Sequence, residues 1–179
     1  RISLPVKLAF NNQERLEDFA GRIGSQIEAD STSLMKAFTD KAFLDENGFT
    51  EENVLSMFIP NSYEFFWNTS AEKFRDRMAK EYRAFWNDER KAKAEAQNLT
   101  PLEVSTLASI VHKETVKTDE RPRVAGVYLN RLKSGIKLEA DPTVIYAVKK
   151  EANDFNRVIK RVLYKDLETV SPYNTYRNF

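Results

Sequence analysis

The sequence predicts an α+β fold that is mostly helical, with a few short strands. Three observations carry this. Apolar residues recur at helical spacing through several long stretches, start and stop signals bracket those stretches, and period-two alternation is confined to short runs. Residues 1–10 alternate (Ile2, Leu4, Val6, Leu8, Phe10) and read as a strand, and further short strands are expected in the late segments.

The elements follow in order. Asn11 or Asn12 can cap a helix carrying Leu16, Phe19, Ala20, Ile23 and Ile27. Asp30 or Ser31 begins a helical segment with Leu34 and Phe38 that can extend to Phe43, and Glu46-Asn47-Gly48 reads as a turn. Thr50 opens a short segment with Glu51 and Glu52 in its first turn. Residues 58–67 are dense in aromatics and broken by Pro60. They read as a strand or an aromatic-lined loop, packed in the core or forming a sugar-binding wall. Thr69 or Ser70 caps a long helix over about 71–97, with a stripe of Phe74, Met78, Tyr82 and Phe85 and a charged end. Thr100, Pro101 and Glu103 form a capping box that starts a helix running to about 116. A further helix begins near Asp119, buries Val124, Val127, Tyr128 and Leu132, and ends at Gly135. Asp141-Pro142 starts a helix through Tyr146; residues 151–168 are polar and weakly patterned, and residues 171–176 are irregular and rich in hydroxyls.

Composition excludes several chemistries. The 179 residues are 41% hydrophobic and 31% charged, enough for one sizeable core. A net charge of +1, with mixed signs along the charged helix, gives no support for nucleic-acid binding. There is no cysteine, which removes disulfides, thiol nucleophiles and thiolate metal sites. A single histidine, His112, makes zinc sites and Ser-His-Asp arrangements poor candidates. Gly-rich phosphate loops and the G-x-S-x-G elbow are absent. No apolar run is long enough to span a bilayer. The chain opens on Arg1 and stops at Phe179, and both ends read as cuts inside a longer protein. Carboxylate chemistry, or none, remains.

Within the capped helix, Glu114 shares a wheel direction with Leu107, Ile110 and Val111 at i−7, i−4 and i−3. A glutamate on that face is expected to be desolvated, which favours its protonated form and suits a general acid. The plain alternative is a carboxylate paired to a buried cation or placed at an exposed helix end. Glu103 is not its partner. It lies eleven residues away, roughly 16 Å along the axis, whereas paired glycosidase carboxylates sit roughly 5–9.5 Å apart. Asp141 could approach in space. His112 lies about 160° round the wheel and reads as a packing histidine.

The runs Ala108–Thr115, Glu120–Leu132, Leu138–Tyr146 and Ser171–Tyr176, with Ile59–Tyr63 upstream, resemble the endolytic murein (peptidoglycan) lytic transglycosylases, the MltG or YceG-like family. The resemblance implies a domain division at 1–57 and 58–179, the second part being a catalytic domain cut short at its end. It implies cleavage between MurNAc and GlcNAc inside glycan strands, with 1,6-anhydro ends and no water consumed, in terminating or trimming nascent strands. It places the catalytic acid of an E-x-E motif on Glu114, with His112 where the first Glu often stands. Asn130, Asp141, Thr143, Ser171, Tyr173, Asn174, Tyr176 and Tyr63 become candidates for lining the substrate cleft, although each suits a cap or turn equally well. No cofactor or metal is implied. The expected partners are peptidoglycan strands and peptidoglycan synthases. The expected location is the outer side of the bacterial inner membrane, through an N-terminal anchor that this chain lacks. A hydrolytic glycosidase and a non-enzymatic glycan-binding module are the competing readings.

Overall fold

A computed structural model of the chain describes residues 3–179; Arg1 and Ile2, the start of the expected first strand, lie outside the described residues. The chain forms two compact units, Arg1–Ala96 and Gln97–Phe179.

In the first unit, β1 (Pro5–Phe10) pairs antiparallel with β2 (Asn61–Phe66), Pro5 opposite Phe66 and Phe10 opposite Asn61. Leu8, Phe10, Tyr63 and Phe65 are buried. They alternate with exposed or half-buried neighbours, as a sheet with one covered face requires. The aromatic stretch is therefore mainly strand and core, although Phe66 and Trp67 stay exposed. Helices α1 (Leu16–Gly24), α2 (Ser31–Phe38) and α3 (Lys41–Asn47) follow β1, and a 3-10 turn (Val54–Met57) leads to β2. Then come α4 (Ala71–Phe85) and α5 (Asp88–Ala96). The core centres on Phe19, whose ring centroid lies 4.3 Å from that of Phe58, 4.8 Å from Phe10 and 5.7 Å from Phe38.

Two expected continuous helices are each broken in two by a capping side chain. The Asp40 carboxylate accepts from the Phe43 amide at 2.9 Å and starts α3, so the segment from Asp30 does not run on unbroken. Asn87 Oδ1 accepts from the Arg90 amide at 2.9 Å and starts α5, so the helix expected over 71–97 breaks at Trp86–Asn87. Glu46 and Asn47 belong to the last turn of α3, which Gly48 closes at φ 73°. The two compact units divide after Ala96. A cut after residue 57 would separate β2 from β1, and Phe74 of α4 from Phe19 and Phe38.

The second unit is helical: α6 (Pro101–Glu114), α7 (Arg121–Lys133), α8 (Asp141–Glu151) and the single turn α9 (Tyr164–Leu167). The capping box forms as expected. The Glu103 amide donates to Thr100 Oγ1 at 3.2 Å, and the Thr100 amide to Glu103 Oε2 at 2.8 Å. Gly135, at φ 64°, closes α7 in a Schellman motif, with the Ile136 amide bonded to the Arg131 carbonyl and the Gly135 amide to that of Leu132. α8 continues past Tyr146 to Glu151. The core joins Leu107 and Val111 of α6, Tyr128 of α7 and Ala140, while Val127 and Leu132, expected inside, are exposed. No strand follows Phe66 among the described residues, contrary to the expected late strands. Residues 171–178 spend their backbone groups on local turns: the Asn174 amide bonds to the Ser171 carbonyl, and the Arg177 amide to that of Asn174.

Candidate active site

The second unit gathers Glu114, Tyr128, Asp141 and Tyr176. Glu114 is the last residue of α6, and Thr115 leaves the helix in extended conformation at φ −138°. The expected desolvation is therefore absent. Leu107 and Val111 on the same wheel direction are buried, but Glu114 is exposed, because no further turn of α6 covers it.

Tyr128 approaches from α7. It belongs to the buried cluster of Leu107, Val111 and Ala140. Burial, then the nearby Glu114 carboxylate, push the phenol up to about 12, with Tyr176 and Asp141 adding to it. Tyr176 donates to Asp141 Oδ1 at 2.7 Å. It is also pushed up to about 12, by burial first and then by Asp141, Glu139 and Glu114. Both phenols are thus neutral donors at physiological pH. Three carboxylates share this neighbourhood.

A threonine ring ties the Tyr176 segment to the start of α8. Thr143 Oγ1 donates to the Ala140 carbonyl at 2.6 Å. Its one proton is then used, so in the 2.8 Å contact Thr175 Oγ1 donates to Thr143 Oγ1. The Ala140 amide in turn donates to Thr175 Oγ1 at 2.9 Å. Glu139, just before, adopts φ 52°, a left-handed conformation unusual for a residue with a side chain, and its amide bonds the Thr175 carbonyl.

The expected cleft residues fall into groups. Asp141 and Tyr176 are hydrogen-bonded to each other, and the charge of Glu114 acts on Tyr176. Asn130 is exposed on α7, and its side chain has no hydrogen bond among the described residues. Tyr173 packs edge-on to Tyr146 at 5.0 Å, with the Lys150 ammonium 5.4 Å from its centroid. Thr143, Ser171 and Asn174 are buried and hydrogen-bonded to their own unit. Asn174 Nδ2 donates to the Leu167 and Thr169 carbonyls at 2.9 Å each, and its Oδ1 accepts from the Tyr176 amide at 3.0 Å. Ser171 Oγ accepts from the Tyr173 amide at 3.3 Å. Tyr63 belongs to the first unit, where its hydroxyl donates to the Ile59 carbonyl at 2.6 Å and its ring stacks on Phe10.

Tyr128 was legible only as a core residue. An aromatic with a polar tip on an apolar stripe, one helix on from a candidate acid, was the available signal. Thr175 and Glu139 carried no such signal. His112 is exposed and turned to other company. Arginine has no acceptor, so the 3.2 Å contact from Arg121 Nη2 makes Nδ1 the acceptor and fixes a neutral imidazole with its proton on Nε2. Burial, then the charges of Arg121 and Lys113, hold His112 below the usual imidazole range. Among the described residues no cluster of His, Asp and Glu could hold a metal, and no helix is long and apolar enough to cross a membrane.

The second unit thus carries an exposed glutamate whose charge reaches two tyrosine phenols, with further carboxylates nearby. The particular family follows from comparison: the chain belongs to the YceG-like family, whose profile matches residues 2–179. It is 47% identical over 73 residues to the endolytic murein transglycosylase of Bacillus subtilis, covering 41% of this chain and 18% of that protein. The endolytic murein transglycosylase of Streptococcus pneumoniae is 36% identical over 83 residues, or 46% of this chain and 15% of that protein. The matches thus span less than a fifth of these relatives' length. The crystal structure of a yceG-like protein from Listeria monocytogenes superposes with a TM-score of 0.76 at 27% identity, over 97% of this chain and 60% of that one.

Proposed function

We propose that the chain carries the catalytic part of an endolytic murein transglycosylase, with Glu114 as its single general acid and base. The observation that carries this reading is the convergence on Glu114. The carboxylate is exposed, its charge acts on the phenols of Tyr128 on α7 and Tyr176 in the terminal segment, and Tyr176 is hydrogen-bonded to Asp141 of α8. The names of the B. subtilis and S. pneumoniae relatives supply the reaction class.

In the first step protonated Glu114 gives its proton to the oxygen of the MurNAc–GlcNAc bond, and the bond from C1 to that oxygen breaks. In the second, the MurNAc C6 hydroxyl attacks C1 and returns its proton to the Glu114 carboxylate. The acid is regenerated, no water enters, and the MurNAc end closes as a 1,6-anhydro sugar. No second carboxylate is required, in contrast to hydrolytic glycosidases. Cutting inside strands in this way would terminate or trim nascent glycan. On this reading the reaction is expected on the outer side of the inner membrane, beside the peptidoglycan synthases.

The test is digestion of intact peptidoglycan strands by the full-length protein, with ends read by mass spectrometry, beside Glu114→Gln. Anhydro-MurNAc ends that vanish in a folded variant support the reading; full activity of Glu114→Gln refutes it. A second reading is a hydrolase with Glu114 and Asp141 as its carboxylate pair, because the charges of both act on the Tyr128 phenol. Incorporation of labelled water into reducing ends would establish that reaction instead. Glycan binding with no product from the full-length protein would leave a binding module.

A further inference from the structure

We propose that residues 157–165 form a peripheral docking surface for an anionic lipid membrane. The proposal does not depend on the role of Glu114. The run Arg157-Val158-Ile159-Lys160-Arg161-Val162-Leu163-Tyr164-Lys165 holds only basic and apolar residues. The chain as a whole carries a net charge of +1, so this is a local concentration of positive charge. Arg157, Lys160, Arg161 and Lys165 are all exposed. None of the four has an ion-pair partner among the described residues. The acids that follow are engaged elsewhere. The Asp166 carboxylate accepts from the Leu163 amide at 2.8 Å, and Glu168 pairs with Arg177 at 3.2 Å. Glu151 and Asp154 precede the run and do not balance it.

Charge alone would suit any polyanion; the apolar residues decide for a membrane. Tyr164 is 92% exposed, Val158 78% and Leu163 48%. Three apolar side chains therefore stand in water beside the cations. A soluble polyanion would pair with the cations and leave those side chains wet. A lipid interface takes both. Headgroup phosphates meet Lys and Arg, while Val, Leu and Tyr enter the boundary between headgroups and acyl chains. Tyrosine suits that depth, having an apolar ring and a polar tip. The run is also anchored at its two ends. Before it, the Phe155 ring packs edge-on to Tyr146 of α8 at 5.5 Å. After it, the Leu167 carbonyl accepts from Asn174 Nδ2 at 2.9 Å. Residues 157–163, in between, form neither helix nor strand.

The experiment is co-sedimentation of the 179-residue chain with two kinds of vesicle, pure phosphatidylcholine and equal parts phosphatidylcholine and phosphatidylglycerol. Wild type is expected to bind the anionic vesicles about tenfold or more tightly than the neutral ones, and less as salt rises. Replacing Arg157, Lys160 and Arg161 together by Gln should weaken that binding about tenfold or more. Val158→Ser with Tyr164→Ser should weaken it about threefold or more. Replacing Lys36, Lys80 and Lys91, exposed lysines of the first unit, by Gln removes the same charge elsewhere and should change it less than about twofold. Circular dichroism melts show that each variant is folded. Failure of wild type to bind anionic vesicles overturns the proposal, as does an equal loss in the two triple variants. Wild-type vesicle binding by Val158→Ser with Tyr164→Ser, together with binding of soluble polyglutamate that the Arg157, Lys160 and Arg161 variant loses, would also overturn it and make the run a polyanion site.

Discussion

Replacing Asn174 with alanine should weaken the second unit far more than an ordinary polar substitution near a cleft. Asn174 is fully buried and spends its side chain on three backbone partners: the carbonyls of Leu167 and Thr169, and the amide of Tyr176. Alanine leaves all three unmatched. A hydrogen bond contributes about 1 kcal/mol net, and a buried partner left alone costs about 1–3 kcal/mol. The three together give a loss of about 3 kcal/mol. For a domain of 60–100 residues each kcal/mol moves Tm by roughly 4–8 °C, so the transition should fall by on the order of 15 °C. Circular dichroism melts and urea titrations read this directly, with the midpoint lowered and the slope unchanged. Asn174→Asp keeps the acceptor for Tyr176 and loses both donors, so it should recover little. A fall of less than about 4 °C, together with a raised KM for glycan, would refute the reasoning and make Asn174 a ligand contact.

Thr100→Ala should cost about 1 kcal/mol by removing the N-cap of α6, and Thr100→Ser should restore most of it; denaturant melts check both. Gly135→Ala should cost about 1–2 kcal/mol, seen as a lowered Tm. Open space surrounds the position where a Cβ would stand, so the whole penalty comes from its φ of 64°. His112 titrates lower in the fold than in the unfolded chain. The unfolded state therefore binds more protons, and this residue's contribution to stability is lost as pH falls below about 6.5. Tm measured from pH 5 to 7 should rise less steeply in His112→Gln than in wild type, and parallel slopes would refute the assignment.

What the sequence determined by itself was mostly local. The start of α6 was legible because Thr100, Pro101 and Glu103 satisfy one another within four residues. The end of α7 was legible because Gly135 adopts a backbone conformation that few other residues accept. The mostly helical character and the candidacy of Glu114 followed from periodicity, for the same reason. The breaks at Asp40 and Asn87 were within reach of the same logic, but each side chain also reads as an ordinary polar residue on a helix surface. Tertiary structure decided the rest. Helical-wheel geometry put Glu114 on the apolar face, but burial depends on what lies above that face, and α6 ends there. Whether Ser171 and Asn174 point to a ligand or to their own backbone depends on how residues 164–178 fold back on themselves. The hydrogen bond of Tyr176 to Asp141, and the packing of Tyr128 with Leu107 and Val111, join residues far apart in the chain. Such contacts follow from packing one helix against another, which no local spacing encodes.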